Sequence, residues 1–165
     1  MLDSFKVEAE KRGYDITFIN HNISGRSMTY LEHCHYRSVD GVVIACVNFY
    51  DPQVVELVNS DVPVVTIDHV FNNRMAVLSD NVAGLKALVK QAWACGHRRI
   101  AFIHGEKTSV TENRIAGFYQ ACEELGLEIP EEYVRDGVYH DVERCAEETR
   151  ALLALPQRPT CIIFP

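Results

Sequence analysis

The sequence has no apolar run long enough to cross a bilayer. Its opening, Met1-Leu2-Asp3-Ser4-Phe5-Lys6, has neither the basic nor the apolar layout of a secretory signal. It has no excess of positive charge: the formal net charge is −7, a poor match for DNA or anionic lipid, which need a basic patch. It has no Cys-x-x-Cys pair, and its six cysteines are scattered, which argues against a disulfide framework or a zinc ribbon. Free thiols in a reducing cytoplasm, most of them buried, are the reading that fits. There is no Gly-x-Gly-x-x-Gly and no Walker loop, so the usual nucleotide cradles are missing. There is also no low-complexity tract, short repeat or Gly/Ser linker.

What is present is a globular composition, 47% hydrophobic and 24% charged over 165 residues, enough for one ordinary domain or two small ones. Helical and strand patterns alternate. Leu2 to Gly13 reads as a helix, with Phe5 and Ala9 on one face and Gly13 as its stop. Asp15 to Ile19 reads as a strand and Ser24 to Arg37 as a polar helix. Gly41-Val42-Val43-Ile44-Ala45 is a buried strand. Pro52 opens the next helix with Asp51 as cap. Val62 to Asp68 is a second buried strand, and Met75 to Leu78 a short extended piece.

The pattern then repeats. Asn81 to Cys95 is helical, with Leu85, Leu88, Val89 and Ala92 on one face and Asn81 as its cap. Gly96 stops it, because glycine takes the left-handed conformation without steric cost. Arg98 to His104 is a strand buried on both faces. Thr111 to Leu125 is a helix whose Phe118, Ala121, Cys122 and Leu125 form a core stripe. Tyr133 to Tyr139 is a strand, Val142 to Leu155 a helix and Thr160 to Phe164 a last strand. Such alternation implies parallel sheets with right-handed crossovers. The expected architecture is α/β: two doubly wound units in tandem, residues 1–80 and 81–165, joined at Asp80 and Asn81. The chain opens on a helix and closes on a strand, which suggests an arrangement truncated at both ends.

Several segments occur in a fixed order: Val39-Asp40-Gly41-Val42-Val43-Ile44, Val62-Pro63-Val64-Val65-Thr66-Ile67-Asp68, Ser79-Asp80-Asn81-Val82-Ala83-Gly84, Gly96-His97-Arg98-Arg99-Ile100-Ala101-Phe102-Ile103, Arg114-Ile115-Ala116-Gly117-Phe118, and Leu153-Ala154-Leu155-Pro156-Gln157-Arg158-Pro159-Thr160. Together they resemble the effector-binding core of the lactose/galactose repressor family of bacterial transcription regulators, which shares its fold with periplasmic sugar-binding proteins (the type I periplasmic-binding-protein-like fold). The resemblance implies two lobes that close over a small, sugar-like effector, with no cofactor. It also implies a homodimer. The unpaired cysteines and the Gly96-His97-Arg98-Arg99-Ile100-Ala101 run favour a cytoplasmic location, and no membrane partner is expected. Operator DNA would be bound only through an amino-terminal helix-turn-helix, which this sequence lacks. The alternative is a solute-binding protein of a transporter. A doubly wound enzyme is a third reading, without a recognisable nucleophile or cofactor loop.

Four residues are candidates for effector contact. Arg114 lies just past the carboxyl end of a central strand, where open α/β sheets place ligands, and its guanidinium offers a planar fork of donors. The resemblance places a ligand-contacting arginine here; the structural alternative is pairing with Glu112. Asp68 ends a buried strand and could accept two sugar hydroxyls, or it could serve as a turn residue or cap. Tyr139 closes another strand, and the resemblance implies an aromatic that stacks on the ligand. Thr111 lies in the loop that the resemblance assigns to hydroxyl contacts, and reads equally as a helix cap. Asp80 and Asn81 mark the crossover, with capping and hinge work both open. His33, Cys34 and His35 lack metal-ligand spacing, and Cys46 with His69 lacks a visible orienting partner for catalysis. No catalytic or metal residue is therefore assigned. Val54, Val55 and Val58 suit either a dimer face or a core.

Overall fold

A computed structural model describes residues 2–23, 25–139 and 141–164. The chain divides into two compact units, Met1–Leu78 and Ser79–Pro165.

In the first unit, helix α1 (Leu2–Lys11) buries none of its residues. The strand expected at Asp15 to Ile19 does not form. Among the described residues no strand pairs with this segment, so its backbone has no ladder to join, and Tyr14, Ile16 and Phe18 are exposed. It is held at its end, where the Asn20 N–H donates to His33 Nδ1 at 2.9 Å.

The helix expected over Ser24 to Arg37 is also shorter. Ser24 lies outside the described residues. Strands β1 (Asn22–Ile23) and β2 (Arg26–Ser27) pair antiparallel, and Gly25 between them takes φ +81°. Helix α2 (Tyr30–Arg37) starts only after Thr29, whose hydroxyl accepts from the Glu32 N–H at 3.1 Å while Glu32 Oε2 accepts from the Thr29 N–H at 2.8 Å. This reciprocal cap fixes the first turn.

Strand β3 (Val42–Ile44), helix α3 (Pro52–Asn59), strand β4 (Val64–Ile67) and strand β5 (Met75–Val77) complete the unit. Asp51 caps α3 as the sequence indicates, accepting from the Gln53 N–H at 2.8 Å. The three strands are parallel in the order β3-β4-β5, with Val43, Val65 and Met75 in one row. Helices α2 and α3 cover one face, where Cys34, Ile44, Val54, Leu57, Val58, Val62 and Val64 form the core. Val54 and Val58 are thus core residues, and Val55 is exposed. On the other face Val43 is 50% and Met75 72% exposed, so β3 is buried on one side rather than two.

The second unit contains α4 (Asn81–Ala94), β6 (Ile100–His104), α5 (Ser109–Glu124), a single 3-10 turn (Glu131–Tyr133), β7 (Val134–Asp136), α6 (Val142–Leu153) and β8 (Cys161–Ile163). Its sheet is parallel in the order β7-β6-β8. Central β6 sends Ile100 and Phe102 into a core with α4 and α5, and Ala101 and Ile103 into a core with Tyr133 and Leu152. The period of two along a strand thus feeds two cores. Phe102 stacks on Phe118 with ring centroids 5.3 Å apart.

Helices α4 and α5 approach closely because Gly117 has no side chain: a Cβ there would stand 2.4 Å from the Val82 carbonyl oxygen. Lys86 and Lys90 of α4 both pair with Glu124 of α5, at 2.5 and 2.8 Å. Leu88, expected on the buried face of α4, is half exposed, while Leu85, Val89 and Ala92 are buried as expected. The thiols also differ from expectation. All six are free, but only Cys34 and Cys122 are buried; Cys46 and Cys95 are exposed. Among the described residues no helix is long and apolar enough to cross a membrane.

Candidate functional site

Several polar side chains of the second unit gather past the carboxyl ends of β6 and β7. The chain leaves β6 at His104, turns through Gly105-Glu106-Lys107 and enters α5 at Thr108, whose hydroxyl accepts from the Thr111 N–H at 3.2 Å. Thr108 is therefore the cap. Thr111, which the sequence alone allows as a cap, lies three residues inside the helix and is 1% exposed.

That placement frees its hydroxyl for another task. Thr108 donates to Thr111 Oγ1 at 3.2 Å, and Thr111 Oγ1 lies 2.8 Å from the Tyr139 hydroxyl. The Thr111 hydroxyl is thus shared between Thr108 and Tyr139. Arg114 follows on the same helical face. Its Nη1 donates to the Tyr139 hydroxyl at 3.4 Å and its Nε to Asn81 Oδ1 at 2.9 Å. The Tyr139 oxygen thus meets Arg114 on one side, as acceptor, and the Thr111 hydroxyl on the other.

Asn81 is not the cap of α4. Asp80 is, accepting from the Ala83 N–H at 2.9 Å. Asn81 is the first helical residue and is buried. Its amide is anchored by donation to Ser79 O at 3.2 Å, and its carbonyl orients Arg114. The pairing of Arg114 with Glu112, open from the sequence, is not made: among the described residues Arg114 forms no ion pair, and its hydrogen-bond partners are a neutral amide and a phenol.

Tyr139 sits where it does because Gly105 makes room. A Cβ on Gly105 would fall 2.2 Å from the tyrosine ring. The Tyr139 N–H is held by Glu106 Oε2 at 2.9 Å. Beside this cluster lies a depression of about 290 Å³ lined by His104, Gly105, Lys107, Thr111, Asp136 and Gly137, among others, at the small end of ligand pockets. His104 forms one wall. Its Nδ1 donates to Gly105 O at 2.8 Å, and its Nε2 stands 3.2 Å from Asp136 Oδ1.

The structure therefore brings together Asn81, Thr111, Arg114 and Tyr139. Asp68 belongs to the first unit, at the carboxyl end of β4. It has the left-handed backbone conformation, φ +58°, and its N–H donates to Val77 O at 2.9 Å. Cys46, just past the end of β3, is also left-handed at φ +56°. His69 packs among aromatic rings. Its ring stacks on Phe49 at 4.3 Å and meets Phe71 edge-on at 4.7 Å, and burial lowers its pKa. The sequence does not point to Thr108, Gly105, Glu106 or the His104–Asp136 pair. Its one signal for them is Thr108 standing three residues ahead of Thr111, a capping spacing.

A parallel α/β sheet with its polar cluster past the strand ends is the architecture of the periplasmic-binding-protein-like class. Residues 1–163 match the family described as periplasmic binding proteins and sugar binding domain of LacI family, and the chain belongs to that family. It is 27% identical over 167 residues to the HTH-type transcriptional repressor PurR of Haemophilus influenzae, a match covering 98% of this chain and 49% of that protein. Against PurR of Pectobacterium carotovorum the identity is again 27%, with the same two shares. The chain thus spans about half the length of the curated relatives it matches. Among solved structures, a LacI-family regulatory protein from Chloroflexus aggregans superposes with TM-score 0.74 at 29% identity, over 99% of this chain and 60% of that one. A LacI transcriptional regulator from a Rhodococcus species shares the fold at TM-score 0.80 and 23% identity, over 99% and 60% of the two chains.

Proposed function

We propose that this chain is the effector-sensing part of a cytoplasmic, homodimeric, DNA-binding transcriptional regulator, and that the cluster around Arg114 contacts a small, sugar-like effector. The observation that carries the reading is the meeting of the Arg114 guanidinium and the Tyr139 hydroxyl, held by the buried Thr111 hydroxyl, beside a pocket of about 290 Å³ at the strand carboxyl ends. Donors and acceptors at fixed spacing suit a polyol, because each hydroxyl both gives and takes a hydrogen bond. An arginine with neutral partners can give its remaining donors to a ligand without first breaking an ion pair. Asp68 is a second candidate contact, from the first unit.

The repressors among the relatives favour a regulator over a transporter's solute-binding protein. The charge of −7 makes this chain's own surface a poor match for DNA phosphates, so operator contact is assigned to a helix-turn-helix outside it.

The test is a thermal-shift screen of monosaccharides and nucleobases, followed by calorimetry on those that raise Tm. Arg114→Ala should weaken binding by about 1.5–3 kcal/mol, the cost of losing a hydrogen bond to a charged group. Equal affinity in the variant removes Arg114 from the site.

A further inference from the structure

Two of the free thiols share one groove. It is a depression of about 410 Å³ between the carboxyl end of α4 and edge strand β8, and Cys95 and Cys161 both line it. They are far apart in sequence, and the fold brings their segments side by side. The Thr160 N–H reaches Arg99 O at 2.8 Å, and His97 Nδ1 stands 3.0 Å from Thr160 Oγ1. Gln91 Nε2 donates to Cys95 Sγ at 3.4 Å, holding the exposed sulfur at the helix end. Burial, and then the neighbouring Cys95, push the Cys161 thiol up.

We propose that Cys95 and Cys161 form a reversible dithiol modification site that takes a low-molecular-weight disulfide, of the glutathione class, as its oxidant. The exposed Cys95 thiolate attacks one sulfur of that disulfide, forms a mixed disulfide and releases one small thiolate. The Cys161 thiolate then attacks Cys95 Sγ, forms the internal disulfide and releases the second. Two protein thiols are oxidised, one small disulfide is reduced to two thiols, and the two protons pass to the leaving thiolates. In a reducing compartment the resting state is the open dithiol. Closure ties the end of α4 to β8 across the groove. The other thiols are not placed for this reaction: Cys34 and Cys122 are buried, Cys46 does not line the groove, and Cys145 lies on α6 with its Sγ turned to Val138 O at 3.9 Å.

The test is incubation of the whole chain with glutathione disulfide, then alkylation of the remaining thiols and peptide mapping. A Cys95–Cys161 cross-linked peptide in monomeric protein, reversed by dithiothreitol, is the expected result. Cys161→Ser should stop the reaction at a Cys95–glutathione mixed disulfide, and a parent-like melting transition for that variant shows that its fold is kept. The proposal is overturned if the parent chain yields only mixed disulfides, or links between two chains, with no internal pair.

Discussion

The Tyr139 hydroxyl stands 2.8 Å from Thr111 Oγ1, and Thr111 is almost wholly buried beneath it. The tyrosine therefore completes the hydrogen bonding of a hydroxyl that water does not reach. Removing the phenol oxygen leaves the buried Thr111 hydroxyl without this partner. Tyr139→Phe should lower the stability of the chain by about 1 kcal/mol, the usual net worth of one such bond. Urea denaturation checks this, with Thr111→Val in the same background restoring part of the loss by removing the orphaned group.

Two glycines of the α4–α5 pair should respond oppositely to alanine. At Gly117 the new methyl meets the Val82 carbonyl at 2.4 Å, and backbone cannot step aside as a side chain can. Gly117→Ala should cost about 1–3 kcal/mol through overpacking. Gly84 lies inside α4, and a methyl added there would have nothing within 4 Å of it. Gly84→Ala should stabilise by roughly 0.5–1 kcal/mol, because alanine loses less backbone freedom in a helix. Melting of the two variants side by side separates close approach from helix propensity. Equal effects would contradict the packing described for Gly117.

Hydrogen bonds from Lys86 and then Lys90 lower the Glu124 pKa to about 2. A carboxyl with a depressed folded-state pKa contributes stability above its unfolded value, 4.5, and loses that contribution as pH falls through the folded value. The stability gap between the parent and Glu124→Gln should therefore be constant above pH 4.5 and shrink as pH falls towards 2. Added salt should narrow it as well, since the carboxylate is exposed. Chemical denaturation across that window reads the trend directly.

The parts of the fold that could be read in the sequence are those set by local rules. Ile100 to Ile103 is an unbroken apolar run, and β6 is indeed covered on both faces. Asp51-Pro52 announces a helix start, and the cap is made. The failures arise where tertiary partners decide. Asp15 to Ile19 has strand composition, but a strand exists only beside another strand. Over Ser24 to Arg37 the polar, mixed pattern hides a hairpin, although Gly25 and the Thr29–Glu32 capping pair serve as punctuation. In the candidate site, the residue types at Thr111, Arg114 and Tyr139 are legible. Their mutual bonding is not, because it depends on an angle of approach set by Gly105, a residue with no side chain to give a signal. The role of Asn81 as Arg114's anchor is hidden in the same way: at a helix start, asparagine looks like a cap until the neighbouring helix is in place.

The contact of Gly117 on Val82 at one end, and the shared carboxylate of Glu124 at the other, fasten α4 and α5 along their length. Arg114 and Asn81 bridge the same two helices. The pair therefore behaves as a single plank rather than two rods.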